Sequence, residues 1–288
     1  MSSSVNLEQA LVHLARADYQ QALDCLADTP SSDNAFLTAC QAGCHLALGQ
    51  FSQAQSLAEQ ALRLNPDELE ALLVTGIILL SQGQQETAFD SLYRAYQQNP
   101  QRRDILLPLA GLYYTLKNDV STAIELFKAV LKQDPYADLA CFQLGQLYFE
   151  QGQNAQAIEQ LNAYVALNTE DSEACFAAGI LLFEQGHYAE ASAVFQHILH
   201  LEPREDALYN LFLCCLQREQ YAKAREIIQV LIEHVPDNTP TYCYNAAVTC
   251  LRQNQPAAAI PYLKQTLQHA PEDLDSLALL QQCIQACK

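Results

Sequence analysis

The 288-residue chain contains no tryptophan, and its 15 Lys plus Arg are outnumbered by 33 Asp plus Glu, giving a formal net charge of −18. Clustered cations supply most of the affinity for nucleic acid and for anionic membranes, so neither is an expected direct partner. No segment approaches the ~18 uncharged apolar residues of a spanning helix, and residues 1–10 lack a basic stretch followed by an apolar run. A cytoplasmic location is therefore expected. Also missing are a phosphate-binding glycine loop, a nucleophile elbow, an HExxH pair and paired CxxC motifs. These absences leave no visible catalytic constellation, and no enzyme activity, cofactor or metal is expected.

Cysteine is not scarce, at eleven residues, but Cys141, Cys175, Cys214, Cys215 and Cys243 fall inside apolar helical stripes. Such thiols read as small buried hydrophobes in a reducing compartment rather than as a disulfide framework. Cys40 and Cys44 with His45, and Cys283 with Cys287, share helix faces but have no second ligand pair at zinc-site spacing. His197, His200, His234 and His269 lie in the last turns of expected helices, where the helix dipole favours a partly cationic ring.

What the chain does have is a unit repeated along its length. Residues 171–203 read as two amphipathic helices joined by a turn at Gln185-Gly186-His187 and closed by Pro203. Markers at Pro66, Pro100, Pro135, Thr169, Pro203, Pro236 and Pro271 recur every 33 to 35 residues. Twelve residues before each marker stands an alanine, at 54, 88, 123, 157, 191, 224 and 259. Gly76, Gly111, Gly145 and Gly179, with Ala42 and Ala247, mark a second small position, where two helices can approach closely.

On these residues the chain resembles the tetratricopeptide repeat family, whose pattern is W-x2-L-G-x2-Y, then A, F and P. Cys175, Ala178, Gly179, Leu182, Ala191, Phe195 and Pro203 occupy those places in one unit, and Cys141, Leu144, Gly145, Tyr148, Ala157 and Leu161 in the unit before it. The tryptophan place is never Trp. The resemblance implies an all-α, right-handed superhelical solenoid of about eight helix-turn-helix hairpins plus a C-terminal capping helix, forming one domain over residues 1–288. Expected repeats are an atypical first one at 3–34, then 35–68, 69–102, 104–137, 138–171, 172–204, 205–239 and 240–271. The first repeat is expected to present polar outer residues, and its second helix to stop at Asp28-Thr29-Pro30. The cap at 272–287 is expected to bury Leu274, Leu277, Leu280, Ile284 and Cys287. Pro108 is expected to fray or kink a helix capped by Asp104.

The same resemblance implies that first helices line a concave surface. The inward positions would then be Leu73, Ile77, Leu80, Leu109, Leu112, Phe142, Gln146, Phe149, Phe176, Ile180, Phe183, Tyr209, Asn210, Leu213, Tyr244, Asn245 and Val248. This is an apolar groove with aromatic rungs, edged by Glu70, Glu150, Glu173, Glu184 and Asp206, with Arg252 as the main opposing cation. The expected partner is a protein segment with an apolar stripe and basic flanks, helical or extended, held by a scaffold, adaptor or chaperone-like holder. For a carboxylate clamp on acidic tails, which needs Lys, Arg and Asn on the inner helices, only Asn210, Asn245 and Arg252 qualify, and an asparagine ladder is limited to Asn210 and Asn245. Two alternatives stand beside this. The first helices are apolar all round because neighbouring repeats bury them, or a second copy of the chain fills the groove in a homo-oligomer.

Overall fold

The computed structural model describes residues 2–27, 34–235 and 239–288, and these form α-helices without strands. The expected helix end at Asp28–Pro30 and the marker Pro236 lie outside the described residues. Helices pair into hairpins: α1 (Ser2–Ala15) with α2 (Tyr19–Ala27), α3 (Ala35–Ala47) with α4 (Phe51–Leu64), and α5 (Leu69–Ser81) with α6 (Gln85–Gln98). Next come α7 (Arg103–Thr115) with α8 (Val120–Gln133), and α9 (Asp138–Glu150) followed by α10 (Asn154–Leu167). The series continues with α11 (Ser172–Glu184) and α12 (Tyr188–Leu201), then α13 (Glu205–Gln217) and α14 (Tyr221–His234). It ends with α15 (Thr239–Arg252), α16 (Pro256–His269) and the single α17 (Leu274–Ala286). The chain divides into two compact units, Met1–Leu144 and Gly145–Lys288, and α9 runs through the division.

The α11–α12 hairpin shows why these residues fold this way. Asp171 caps α11 through its carboxylate, which accepts from the Ala174 amide at 3.0 Å. At the other end the Gly186 amide bonds Phe183 and the His187 amide bonds Leu182, closing the helix with Gly186 at φ +81. That left-handed cap is the reason for glycine here. Within the hairpin, a Cβ on Gly179 would stand 2.8 Å from Phe195 Cε1, so only glycine lets the helices meet at this distance. Gly145 meets Leu161 and Gly76 meets Leu92 in the same way, at 2.8 and 2.5 Å. Gly111 is different: nothing stands within 4 Å of its Cβ position, so the glycine seen there in the sequence is not needed for packing. The recurring alanines, Ala54 to Ala259, are fully buried.

Consecutive hairpins are tied by side chains that reach back over the connecting loop. Arg94 Nη2 donates to the Pro66 carbonyl at 2.6 Å and Asp67 at 2.7 Å, and His197 Nε2 bonds the Thr169 carbonyl at 2.8 Å from the equivalent place. His197 therefore serves a neighbouring loop. His200 and His234 bond carbonyls of their own helices, at Gln196 and Val230.

Three expectations about element ends need correction. Arg102, not Asp104, stands at the cap position of α7; the Asp104 carboxylate is bound to the Arg102 guanidinium, and Pro108 lies inside the helix. The C-terminal helix buries Ser276 and Cys283 while Leu274 is 77% exposed and Ile284 and Cys287 are exposed. Ser276 Oγ bonds the capping Asp273 carboxylate, and of the expected residues Leu280, half-buried, packs with Leu279 on the cluster that holds Cys283. The first repeat presents Leu11 and Val12 to solvent, 42% and 48% exposed, rather than a wholly polar surface.

All eleven cysteines are free, and all but Cys25 and Cys287 are buried. Burial pushes the Cys40 thiol up to about 12, with Glu70 nearby adding to the effect, and pushes Cys44 up to about 11. Protonated, buried thiols behave as core side chains. His45 is engaged with Gln50. Among the described residues no group of three or more His, Cys, Asp or Glu could hold a metal ion.

Candidate binding surfaces on the first helices

In the first unit, the first helices α1, α3 and α5, with the start of α7, line a cleft of about 460 Å³. Leu11, Phe36, Leu46 and Ile77 contribute to its walls, and Leu73 and Val74 its buried floor. A second cleft of about 520 Å³ lies between α5, α7 and the start of α9, with Ile77, Leu80, Leu107, Pro108, Tyr136 and Leu139 in its lining. Both volumes fall in the range of small-ligand and side-chain pockets. Ile77 belongs to both, so the two clefts adjoin.

Of the seventeen inward positions expected from the sequence, Leu109, Leu112 and Phe149 are core instead, at 0%, 2% and 6% exposure, while Leu73, at 5%, forms part of the floor of the first cleft. Their helices are apolar on more than one side, and neighbouring helices take up these positions. The half-buried set comprises Ile77, Leu80 and Phe142 in the first unit, and Gln146, Phe176, Ile180, Phe183, Tyr209, Asn210, Leu213, Tyr244, Asn245 and Val248 in the second. Even these are not idle in packing. Phe176 lies 5.7 Å from the Phe195 ring with the Arg204 guanidinium 4.8 Å over its own ring, and Phe183 meets Tyr188 edge-on at 5.2 Å.

The edge carries arginine clasps that the sequence reading missed. Arg102 Nε and Nη2 hold Asp104 two residues on, at 2.8 and 2.9 Å, while its two Nη groups bind both Glu70 oxygens on the preceding first helix. Arg204 repeats the arrangement three hairpins later: Nε and Nη2 bind Asp206 at 2.9 and 2.6 Å, and Nη1 binds Glu173 at 2.9 Å. The hydrogen bond from Arg204 holds the Asp206 carboxyl below its ordinary range. Arg102 and Arg204, not Arg252, are thus the cations that oppose Glu70, Glu173 and Asp206. The recurring Arg-x-Asp at helix starts was the available signal. Glu150 and Glu184 are exposed at the ends of α9 and α11.

In the second unit a cleft of about 450 Å³ is lined by Arg204, Glu205, Asp206, Tyr209 and Tyr242. Tyr242 donates to Glu205, and Asn245 Nδ2 donates to Tyr209 Oη at 3.1 Å, so both rings are oriented. Asn210 and Asn245 each turn their amide donor to a carbonyl of their own helix, Asp206 at 2.8 Å and Thr241 at 3.0 Å.

Residues 55–161 match the family described as the N-terminal TPR repeats of the surface lipoprotein assembly modifier, and residues 182–242 match the tetratricopeptide repeat. No curated protein matches the chain. Among solved structures it is similar to PilW, a widely conserved type IV pilus biogenesis factor, at 19% identity over 70% of this chain and 94% of that one, with a TM-score of 0.54. It is similar also to pilF of Pseudomonas aeruginosa, at 17% identity, TM-score 0.53, over 72% of this chain and 94% of that one. A match to a chain of the APC/C hetero-tetramer Cut9–Hcn1, at 18% identity and TM-score 0.47, takes in 98% of this chain but 55% of that one. At these identities the likeness is one of fold.

Proposed function

Because the chain belongs to the tetratricopeptide repeat family, we propose that it is a non-enzymatic scaffold, adaptor or chaperone-like holder that grips an apolar segment of another protein on its first helices. The carrying observation is the pair of adjoining clefts in the first unit. They are walled by side chains such as Leu11, Phe36, Ile77, Leu80 and Leu139, of which Leu11, Phe36 and Leu139 are 42%, 38% and 51% exposed. Contiguous apolar surface of this kind is uncommon on a monomer without a binding role. The half-buried Phe176, Ile180, Phe183 and Val248 of the second unit support the same reading. The likeness of residues 55–161 to repeats of an assembly modifier is in keeping with a client protein held before assembly. Basic flanks on the client agree with the net charge of −18, although the clasps neutralise part of the acidic edge. The free, buried thiols support a reducing compartment such as the cytoplasm.

The test is capture of protein partners by the purified chain and by two variants. Phe142→Ser/Phe176→Ser/Phe183→Ser removes three aromatic anchors, each worth ~2 kcal/mol when buried at an interface. Ile77→Asn/Leu80→Asn changes half-buried aliphatic positions of the two clefts and guards against a variant that merely unfolds. Both are expected to lose partners while circular dichroism stays helical. Full capture by either folded variant counts against the groove.

A further inference from the structure

The first-helix face of the second unit is divided by charge. At the N-terminal ends of α11 and α13, Arg204 stands 2.9, 3.9 and 2.6 Å from Glu173, Glu202 and Asp206, and Glu205 lines the same cleft. Three carboxylates thus stand within 4 Å of one guanidinium, and a fourth, that of Glu205, accepts from Tyr242 in the same cleft. The side chains of the three nearest acids are 79%, 50% and 47% exposed, so they retain acceptor capacity toward solvent. At the opposite ends of α11, α13 and α15, Glu184 and Glu219 are balanced by Arg218 and Arg252. Between these rims lie the half-buried Ile180, Leu213 and Val248, one from each helix.

We infer that this face takes a basic amphipathic helix lying across α11, α13 and α15, its lysines or arginines along the flank beside Glu202 and Glu205 and its apolar stripe on Ile180, Leu213 and Val248. The inference rests on the groove reading and adds the conformation and direction of the occupant. Charge complementarity selects the direction, because the reversed helix would set its cations beside Arg218 and Arg252. Helical geometry is required because residues three and four apart hold an apolar and a basic stripe side by side. A strand sends successive side chains to opposite faces and cannot do so.

The experiment is fluorescence anisotropy with the full-length chain and two labelled helical peptides of equal composition. One carries lysines beside its leucine stripe, the other carries them on the opposite face. The flanking peptide is expected to bind about tenfold tighter at low ionic strength, the gap narrowing as salt is added. Glu202→Gln/Glu205→Gln leaves Arg204 its bonds to Glu173 and Asp206, and is expected to remove most of the gap without weakening the other peptide. Equal binding of the two peptides, or a gap that survives the double substitution in a folded protein, overturns the inference and leaves the groove standing. Binding of neither peptide, or binding indifferent to Ile180→Asn/Val248→Asn, overturns the inference, and partner capture that also survives Ile77→Asn/Leu80→Asn overturns the groove reading with it.

Discussion

Gly179 and Gly111 hold the same place in two hairpins, yet only one of them is required there. A methyl group on Gly179 would press on the Phe195 ring, while one on Gly111 would meet nothing within 4 Å. Gly179→Ala is therefore expected to cost ~1–3 kcal/mol through overpacking, set against up to ~1 kcal/mol of improved helix propensity. Gly111→Ala keeps only the gain, ~0.5–1 kcal/mol. Urea denaturation of the two variants in parallel checks this, and a Gly111→Ala protein weaker than its parent would contradict it. The sequence could show that both glycines sit at the small position; it could not show which had a large side chain opposite. At the turns, Glu219 adopts φ +57 where the α11–α12 hairpin uses Gly186. Glu219→Gly should stabilise the protein by ~1 kcal/mol, read as a higher urea midpoint. Thiol chemistry gives another residue-scale check. Exposed Cys287 should alkylate rapidly in the native protein, while Cys40 and Cys214, each raised to about 12 chiefly by burial, should react only on unfolding, as followed by mass spectrometry.

Among elements, the helices were legible because proline markers and alanines recur with the hairpin, and the helices from α5 to α16 fall in pairs between successive markers. Less legible was which face of a first helix meets solvent. Leu109 and Ile77 look alike in an apolar helix, yet Leu109 is fully buried and Ile77 lines two clefts. The difference is set by helices distant in sequence. The clasps were missed for a related reason: Arg102 and Glu70 are 32 residues apart and meet only when α5 and α7 are side by side. The Arg204 clasp makes a prediction for pH. Asp206 has a depressed folded-state pKa, so its contribution is present in full above the unfolded carboxylate value of ~4 and is lost as pH falls through the folded value. Stability should decline below roughly pH 4, and Asp206→Asn should flatten that limb of the profile. With partly exposed partners, Arg204→Ala should cost about 1 kcal/mol at neutral pH. A pH profile that Asp206→Asn leaves unchanged would remove the clasp from the account.

Within each of the two units, helices pack on those near in sequence, and the contacts that carry the fold join a helix to the next or to the one after it. A chain built this way behaves as a row of coupled units whose stability is the sum of local terms and neighbour interfaces. That is why a period of 33 to 35 residues sufficed to read the fold class, whereas the apolar character of the first helices did not show which of their residues are buried by neighbours. It also predicts how damage spreads. The helix α17 covers Cys250, Leu263 and Ala259 through Leu279, Leu280 and Cys283. Leu263 and Ala259 are fully buried and Cys250 is 1% exposed, and removing residues 273–288 would open that cluster to water. Exposing one buried leucine costs ~1.5–3 kcal/mol, enough to loosen the last hairpin on its own. Hydrogen exchange in the truncated chain should rise across α15 and α16, less across α13 and α14, and not at all across α3 to α6. A uniform rise along the chain would mean that the hairpins unfold as one cooperative body, and the nearest-neighbour description would fail.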